Sequence, residues 1–394
     1  MRKHFLLFLL CLATNASLTA QETLRENNGE PTLVERLSNG EIKINSAEMN
    51  FQLFTSANAE FVGNELDGMN FKLNRVRLEI KGDVGKWLGY HYRQSFNKYS
   101  DPYSLDNLSS SLELAYVNLK ARHNLNFTIG KQFVNFGGYE YYVNSIRVRE
   151  FSEFNNLLTA YQAGISGNWQ VSPDHELCFQ IVNNRNGNDE DIYPTGLPEG
   201  TAKAKIPFMY TVNWNSYFCE LEHCFDVRDV AVDTAVGQQT RKRYSYYFTC
   251  GNTYEKGPLL TYLDVMYTRQ GIDQHGVVSR LPGTPHTAMN TEYLSIIGDV
   301  DYRVHPQWNV YVKGAYETAR VYKGNGDFRK GMYRRSWNAQ SSVEFFPFKQ
   351  LDLFVFVLYT YRGVILEKAA TRMGAIEPDT HRISLGLVYS IPVF

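Results

Sequence analysis

The stretch that decides the fold is Thr380–Phe394, THRISLGLVYSIPVF, at the end of the chain. Ile383, Leu385, Leu387, Tyr389 and Ile391 fall on one face, and Arg382, Ser384, Gly386, Val388 and Ser390 on the other. Side chains alternate between the faces of a strand, so this pattern predicts one apolar and one small or polar surface. A strand of this kind ending on an aromatic residue suits the closing strand of a transmembrane β-barrel, with lipid outside and water within. The opposite end agrees. Arg2 and Lys3 lead into an apolar run from Phe5 to Ala13, and Leu18, Thr19 and Ala20 precede Gln21. This reads as a secretory signal over 1–20, too short to span a bilayer. Residues 21–45 are polar, with Asn27-Asn28-Gly29 and Ser38-Asn39-Gly40, and read as a periplasmic lead-in to a barrel over 46–394.

Composition narrows the class. The 394 residues include 27 Tyr and 24 Phe, with 21% charged, and no later stretch approaches the roughly 18 apolar residues of a membrane helix. A membrane chain without such helices must close a barrel, because lipid cannot satisfy an open sheet edge. The net charge of −1 excludes nucleic-acid binding as the main task. Cys11 lies in the signal behind Leu9 and Leu10, which argues against a lipid anchor. Cys178, Cys219, Cys224 and Cys250 form no Cys-x-x-Cys pair, and only His223 beside Cys224 approaches ligand spacing. No metal or other cofactor is expected; free thiols and a Cys219–Cys250 bridge both stay open.

Beyond residue 45 the chain alternates in segments of about ten residues. Strands are expected near 47–59, 69–81, 86–97, 109–120, 125–133, 160–170, 175–183, 206–213, 216–226, 242–253, 258–269, 290–303, 307–320, 333–346, 350–362 and 380–392, an all-β antiparallel barrel of about 16 strands. Tight connections rich in turn formers fall at 82–85, 122–124, 172–174, 255–257, 304–306 and 346–349. Long polar stretches at 60–68, 98–108, 134–159, 184–205, 227–241, 270–289, 321–332 and 363–380 lie between them. Short periplasmic turns and long outer loops alternate in this way. Trp169, Trp214, Trp308 and Tyr389 sit at strand ends, as interfacial girdles require.

Facing follows from alternation. The strand near 350–362 sends Leu353, Val355, Val357 and Tyr359 outward. The strand near 333–346 gives a lumen row of Arg334, Ser336, Asn338, Gln340, Ser342 and Glu344. The strand near 109–120 has apolar residues on both faces, and its facing stays open. No catalytic constellation emerges: Gly-x-Ser-x-Gly and the phosphate-loop pattern are absent, so an enzyme is not expected. The charged residues are more telling. Arg75, Arg77 and Glu79 are expected inward, as are His91 and Arg93, with Arg77 opposite His91 and Arg75 opposite Arg93. Like charges across a strand pair are destabilising. Two readings stay open: an anion-attracting ladder, or arginines neutralised by Glu79 and Glu113. Asp264, Asp299 and Asp301 would form an acidic wall opposite in sign. The 134–159 loop, with Tyr139, Tyr141, Tyr142, Arg147, Arg149, Glu150 and Glu153, either folds into the barrel or stays outside. Asn188 to Asp191 could hold Ca²⁺, but a solvated acidic tip is the simpler reading.

Phe71 to Glu79 with the Gly82-Asp83 turn, Ala115-Tyr116-Val117, and Ile129 to Gln132 leading into Asn135-Phe136-Gly137 resemble the phosphate-selective porin O and P family. The resemblance lies in residues 70–140. It implies a sixteen-stranded channel, a homotrimer, an inward third loop and a basic diffusion path, and it carries over to Arg75, Arg77 and Lys131. Alternation alone points Lys131 at lipid. A dense lysine cluster in the loops is missing, and the apolar row of the last strand is one residue out of phase with Phe394. The expectation is a bacterial outer-membrane porin for small anionic or neutral hydrophilic solutes, with mild anion preference. Its lumen would carry basic Arg75, Arg77, His91, Arg93, Lys131, Arg147 and Arg149 against acidic Asp264, Asp299 and Asp301. Outer-membrane lipid and, through the final strand, the barrel-assembly machinery are the other expected partners. Alternatives are a channel specific for phosphate or for oligosaccharides stacking on Tyr247, Tyr262, Tyr293 and Tyr311, and a plugged binding or adhesion barrel.

Overall fold

The computed structural model describes residues 44–97, 111–143, 148–187, 192–193, 196–198, 200–217, 230–281 and 286–393. Strands β1 (Ile44–Val62), β2 (Glu65–Val84), β3 (Leu88–Ser95), β4 (Leu112–Arg122), β5 (Leu125–Phe133), β6 (Tyr161–Ser172), β7 (His175–Asn183) and β8 (Phe208–Ser216) make the first half. The second half is β9 (Val230–Thr240), β10 (Arg243–Lys256), β11 (Leu259–Ile272), β12 (Met289–His305), β13 (Trp308–Val321), β14 (Gly331–Phe345), β15 (Asp352–Leu366) and β16 (Thr380–Pro392). Each strand bonds to its neighbours in sequence, and β1 pairs with β16 to close the barrel. Among the described residues, three short helices lie in connections: α1 (Tyr139–Tyr142), α2 (Glu153–Leu157) and α3 (Lys368–Thr371). None of the described helices is long and apolar enough to cross a membrane.

Alternation sets the two surfaces. On β16, Ile383 and Leu385 are exposed while Ser384 and Val388 are buried in the lumen. On β14, Arg334, Ser336, Gln340, Ser342 and Glu344 are all buried inward. The lumen is not uniformly polar: Phe54, Phe354, Phe356, Leu358 and Val388 form an inner apolar cluster beside the β1–β16 seam.

Two connections differ from the sequence reading. The stretch 60–68 is not a loop: β1 and β2 continue to a two-residue turn at Gly63 and Asn64, with Gly63 at φ 57°. A left-handed backbone there costs glycine nothing. At 20 residues, β2 exceeds the roughly 9–11 needed to span a bilayer, so the hairpin projects beyond it. The ninth strand is Val230–Thr240 rather than 216–226, and it turns tightly into β10 through Arg241 and Lys242. Its inward row of Ala231, Asp233, Ala235 and Gly237 is too small to look like a wall by itself. Those small residues leave room for the third outer connection, L3 (134–160), which fills the lumen beside them. Residues 218–229, with Cys219, Glu220, Glu222 and Cys224, lie outside the described residues, as do Arg147, the 188–191 tip, the signal segment and Phe394. Cys250 is exposed on the outer face of β10.

Candidate functional site in the barrel lumen

The basic cluster forms, with a different register. The β2–β3 turn is centred on Lys86, which sets Arg77 opposite Ser95, Glu79 opposite Arg93 and Lys81 opposite His91. The expected Arg77–His91 and Arg75–Arg93 pairs therefore do not occur, and an acid stands across from an arginine. The facing of β4 is resolved by a register shift that leaves Glu113 extra between the Arg93–Leu114 and Gln94–Leu112 pairs. A bulge of this kind turns adjacent side chains toward one face. Glu113, fully buried, reaches Arg77 Nη2 at 2.9 Å and Arg93 Nε at 3.0 Å, and accepts from Ser95 Oγ at 2.8 Å. Arg93 also donates to the Tyr161 hydroxyl at 2.9 Å and lies over the Phe133 ring at 4.9 Å. His91 bridges Glu79 Oε1 at 2.7 Å and the Tyr116 hydroxyl at 2.8 Å. Arg75 stands over the Phe54 ring at 5.9 Å. Lys131 is buried rather than exposed to lipid, next to Gly130, whose φ of 130° breaks the regular twist of β5.

L3 folds into the barrel, and carboxylates of the far wall hold it there. Asp264 on β11 accepts from the Tyr139 and Glu140 amides, both at 2.8 Å, so it caps α1. Glu317 on β13 accepts from the Phe154 amide at 2.7 Å and the Glu153 amide at 3.2 Å, at the start of α2. Anionic acceptors at orphan helix amides are favourable. Within L3, Glu140 is fully buried, pairs with Lys313 of β13, and accepts from Ser152 Oγ at 2.6 Å. Arg149 pairs with Glu344 and stacks over Phe354 at 4.6 Å. Glu153 meets Arg334 at 2.6 Å, and Arg334 meets Glu377 of the last outer loop at 2.8 Å. Sequence reading had Arg334 inward but did not pair it. Glu140, the single carboxylate in the aromatic run Tyr139-Glu140-Tyr141-Tyr142, was the available signal.

The acidic residues take distinct places. Asp264 caps α1, Asp299 is buried opposite Lys313, and half-buried Asp301 lies nearer the periplasmic rim. The four tyrosines considered for sugar stacking are all buried. Phe136 of L3 stacks on Tyr247 at 4.9 Å, and Tyr139 packs on Tyr262 at 5.0 Å. The sixth outer connection adds His275, packed 5.0 Å from Tyr293 and 5.1 Å from Phe154. Neither of its ring nitrogens has a hydrogen-bond partner among the described residues, and burial pushes its imidazole down to about 3. L3 thus closes against β9–β16, its Glu150 paired with Arg382 of β16, and the gaps beneath it hold only about 10 and 20 Å³. Open space remains along β1–β8, as polar cavities of about 270 and 180 Å³ that share Tyr116 and Asn118.

The whole barrel has known counterparts. Residues 46–391 match the sequence profile of the family described as phosphate-selective porin O and P. No curated protein matches significantly. Among solved structures, the outer membrane channel DcaP of Acinetobacter baumannii is similar at TM-score 0.58 and 13% identity, covering 88% of this chain and 97% of that one. The anion-selective porin from Comamonas acidovorans is similar at 0.52 and 10% identity, with 88% and 99% covered. The trimer form of OmpT from Vibrio cholerae gives 0.52 and 11% identity, with 88% and 99% covered. At such identities the structures attest the fold, while the profile match over most of the chain attests the family. The protein is thus a member of the phosphate-selective porin O and P family, a multi-pass β-barrel channel of the bacterial outer membrane for small solutes.

Proposed function

We propose that the protein is a general diffusion porin for small hydrophilic solutes with a mild preference for anions. The observation that carries this reading is the one-sided docking of L3. With L3 held on β9–β16, the polar cavities lie along β1–β8; Lys81, His91 and Lys120 line the larger, and Arg75, Arg77 and Arg93 lie farther along β2 and β3 toward the outer end. Glu79 and Glu113 stand among these arginines, so the local field is weakly rather than steeply positive, which suits modest selection by charge. His91 lines the same wall, whereas Arg149 is committed to Glu344. The subunits act as a homotrimer, in line with the trimer form recorded for a structural relative, and the final strand is the part the assembly machinery reads. The test is single-channel recording of the refolded protein in a KCl gradient, followed by added phosphate. A stable conductance reversing toward chloride is expected, and Arg75→Ala with Arg77→Ala should reduce that bias. A cation preference would overturn the anion reading, block by low phosphate would make the channel phosphate-specific, and silence would point to a plugged barrel.

A further inference from the structure

The outer surface of β5–β8 is not evenly convex. Gly167 of β6 lies directly between Phe127 of β5 and Phe179 of β7 in the strand pairing. Every other outward position nearby carries a larger side chain; the Phe127 ring leans over part of the gap, 3.3 Å from where a Cβ would stand, and no atom on the Phe179 side comes within 4 Å, which leaves a notch there. In the lumen-facing row of the same two strands, Gly130 and Gly164 face each other across β5 and β6. A Cβ at Gly164 would lie 2.2 Å from the Ile181 carbonyl oxygen, and one at Gly130 would lie 2.3 Å from that of Ala115. Glycines where backbones crowd in this way mark a local bend of a sheet. Notch and bend together form an apolar groove of about 1200 Å³. Its lower end is chemically different: Arg122 and Asn124 line it at the periplasmic turn between β4 and β5, beside Trp169. Arg122 is exposed and forms no ion pair among the described residues.

We propose that this groove binds one anionic glycerophospholipid of the periplasmic leaflet. An acyl chain lies in the notch over Gly167 between Phe127 and Phe179, and the phosphate meets Arg122, with Asn124 as a second donor. Two features favour a lipid over a second copy of the chain. The apolar channel runs along the barrel wall in the direction of acyl chains, and it ends on a cation at the depth where Trp169 marks the headgroup region. Basic pockets on a membrane protein at that level suit phosphate headgroups. The inference does not depend on what the lumen conducts.

The experiment is native mass spectrometry of the full folded barrel in mild detergent, titrated with dipalmitoyl phosphatidylglycerol or with phosphatidylcholine of the same chains. One bound phosphatidylglycerol per chain is expected, with phosphatidylcholine weaker. Arg122→Gln should weaken the anionic lipid roughly fivefold, the ~1 kcal/mol of one basic residue at an anionic surface, and leave phosphatidylcholine unchanged. Gly167→Leu fills the notch and should abolish retention of both, while heat-modifiable mobility in gels reports that the barrel still folds. Equal retention by wild type and both variants would reduce the groove to ordinary lipid contact and overturn the proposal. So would a Gly167→Leu protein that dissociates into monomers when the wild type never held lipid, because the groove would then be a contact between subunits.

Discussion

At the residue scale, Glu113 sets how much positive charge is left around Arg77 and Arg93. It is fully buried and lies within about 3 Å of both Arg77 and Arg93. Breaking a buried ion pair by neutralising one member leaves the other charge uncompensated, at a cost of about 3 kcal/mol. Glu113→Gln is accordingly expected to lower the urea midpoint of the refolded barrel and to move the reversal potential in a KCl gradient toward chloride. An unchanged reversal potential would mean that ions do not pass Arg77 and Arg93. Alternation identified the inward arginines, because Val76, Leu78 and Ile80 between them are apolar. Their partners were harder to find. Register depended on a turn centred on Lys86 rather than on the Gly82-Asp83 pair, and the facing of Glu113 depended on a bulge that no residue type announces.

At the scale of the element, L3 is held by charges that belong to distant strands. Lys313 and Glu140 are both fully buried, 173 residues apart in sequence. Lys313→Met strands the Glu140 carboxylate and should weaken docking by about 3 kcal/mol. The expected result is a noisier, larger single-channel conductance and faster proteolysis within L3. Lys313→Met combined with Glu140→Gln should recover most of the wild-type behaviour, since both charges are then gone. A second expectation concerns acid. The imidazole of His275 titrates near 3 in place, against 6.5 when exposed, so it stabilises docking in full above pH 6.5. As pH falls from 6.5 toward 3, His275 takes up a proton first in the state in which L3 has left it exposed. Docking then weakens by up to about 1.4 kcal/mol per pH unit. His275→Phe keeps the ring contacts with Phe154 and Tyr293 and should remove this part of the slope, read as conductance noise between pH 7 and 4. The inward course of L3 was one of two open readings because loop composition does not encode direction. The misplaced ninth strand has the same root: a wall of Ala, Asp and Gly makes sense only once L3 fills the space in front of it.

For the whole molecule, the count of sixteen strands and the place of all but the ninth were legible because a lipid-facing row must be apolar at every second residue, a signal repeated along the chain. Closure is a stricter condition, since β16 must fit between two strands formed from opposite ends of the sequence. Gly386 sits at that seam, opposite Ser56 of β1 and Phe356 of β15. A Cβ there would lie 2.3 Å from the Phe356 ring and 2.6 Å from the Thr55 carbonyl oxygen. The backbone oxygen cannot yield without breaking the β1–β16 ladder, and an open ladder in lipid leaves unpaired backbone groups that cost several kcal/mol each. Gly386→Leu should therefore block closure and not merely weaken a finished barrel. The expected outcome is loss of the compact, heat-modifiable band on refolding, with β-structure still forming in detergent. Gly314→Leu on β13 is the matched control, because a Cβ at that position meets nothing within 4 Å. Equal folding of the two variants would show that the seam tolerates a side chain and that closure is set elsewhere. Failure of Gly386→Leu alone would locate the last committed step of assembly at the pairing of the first and final strands.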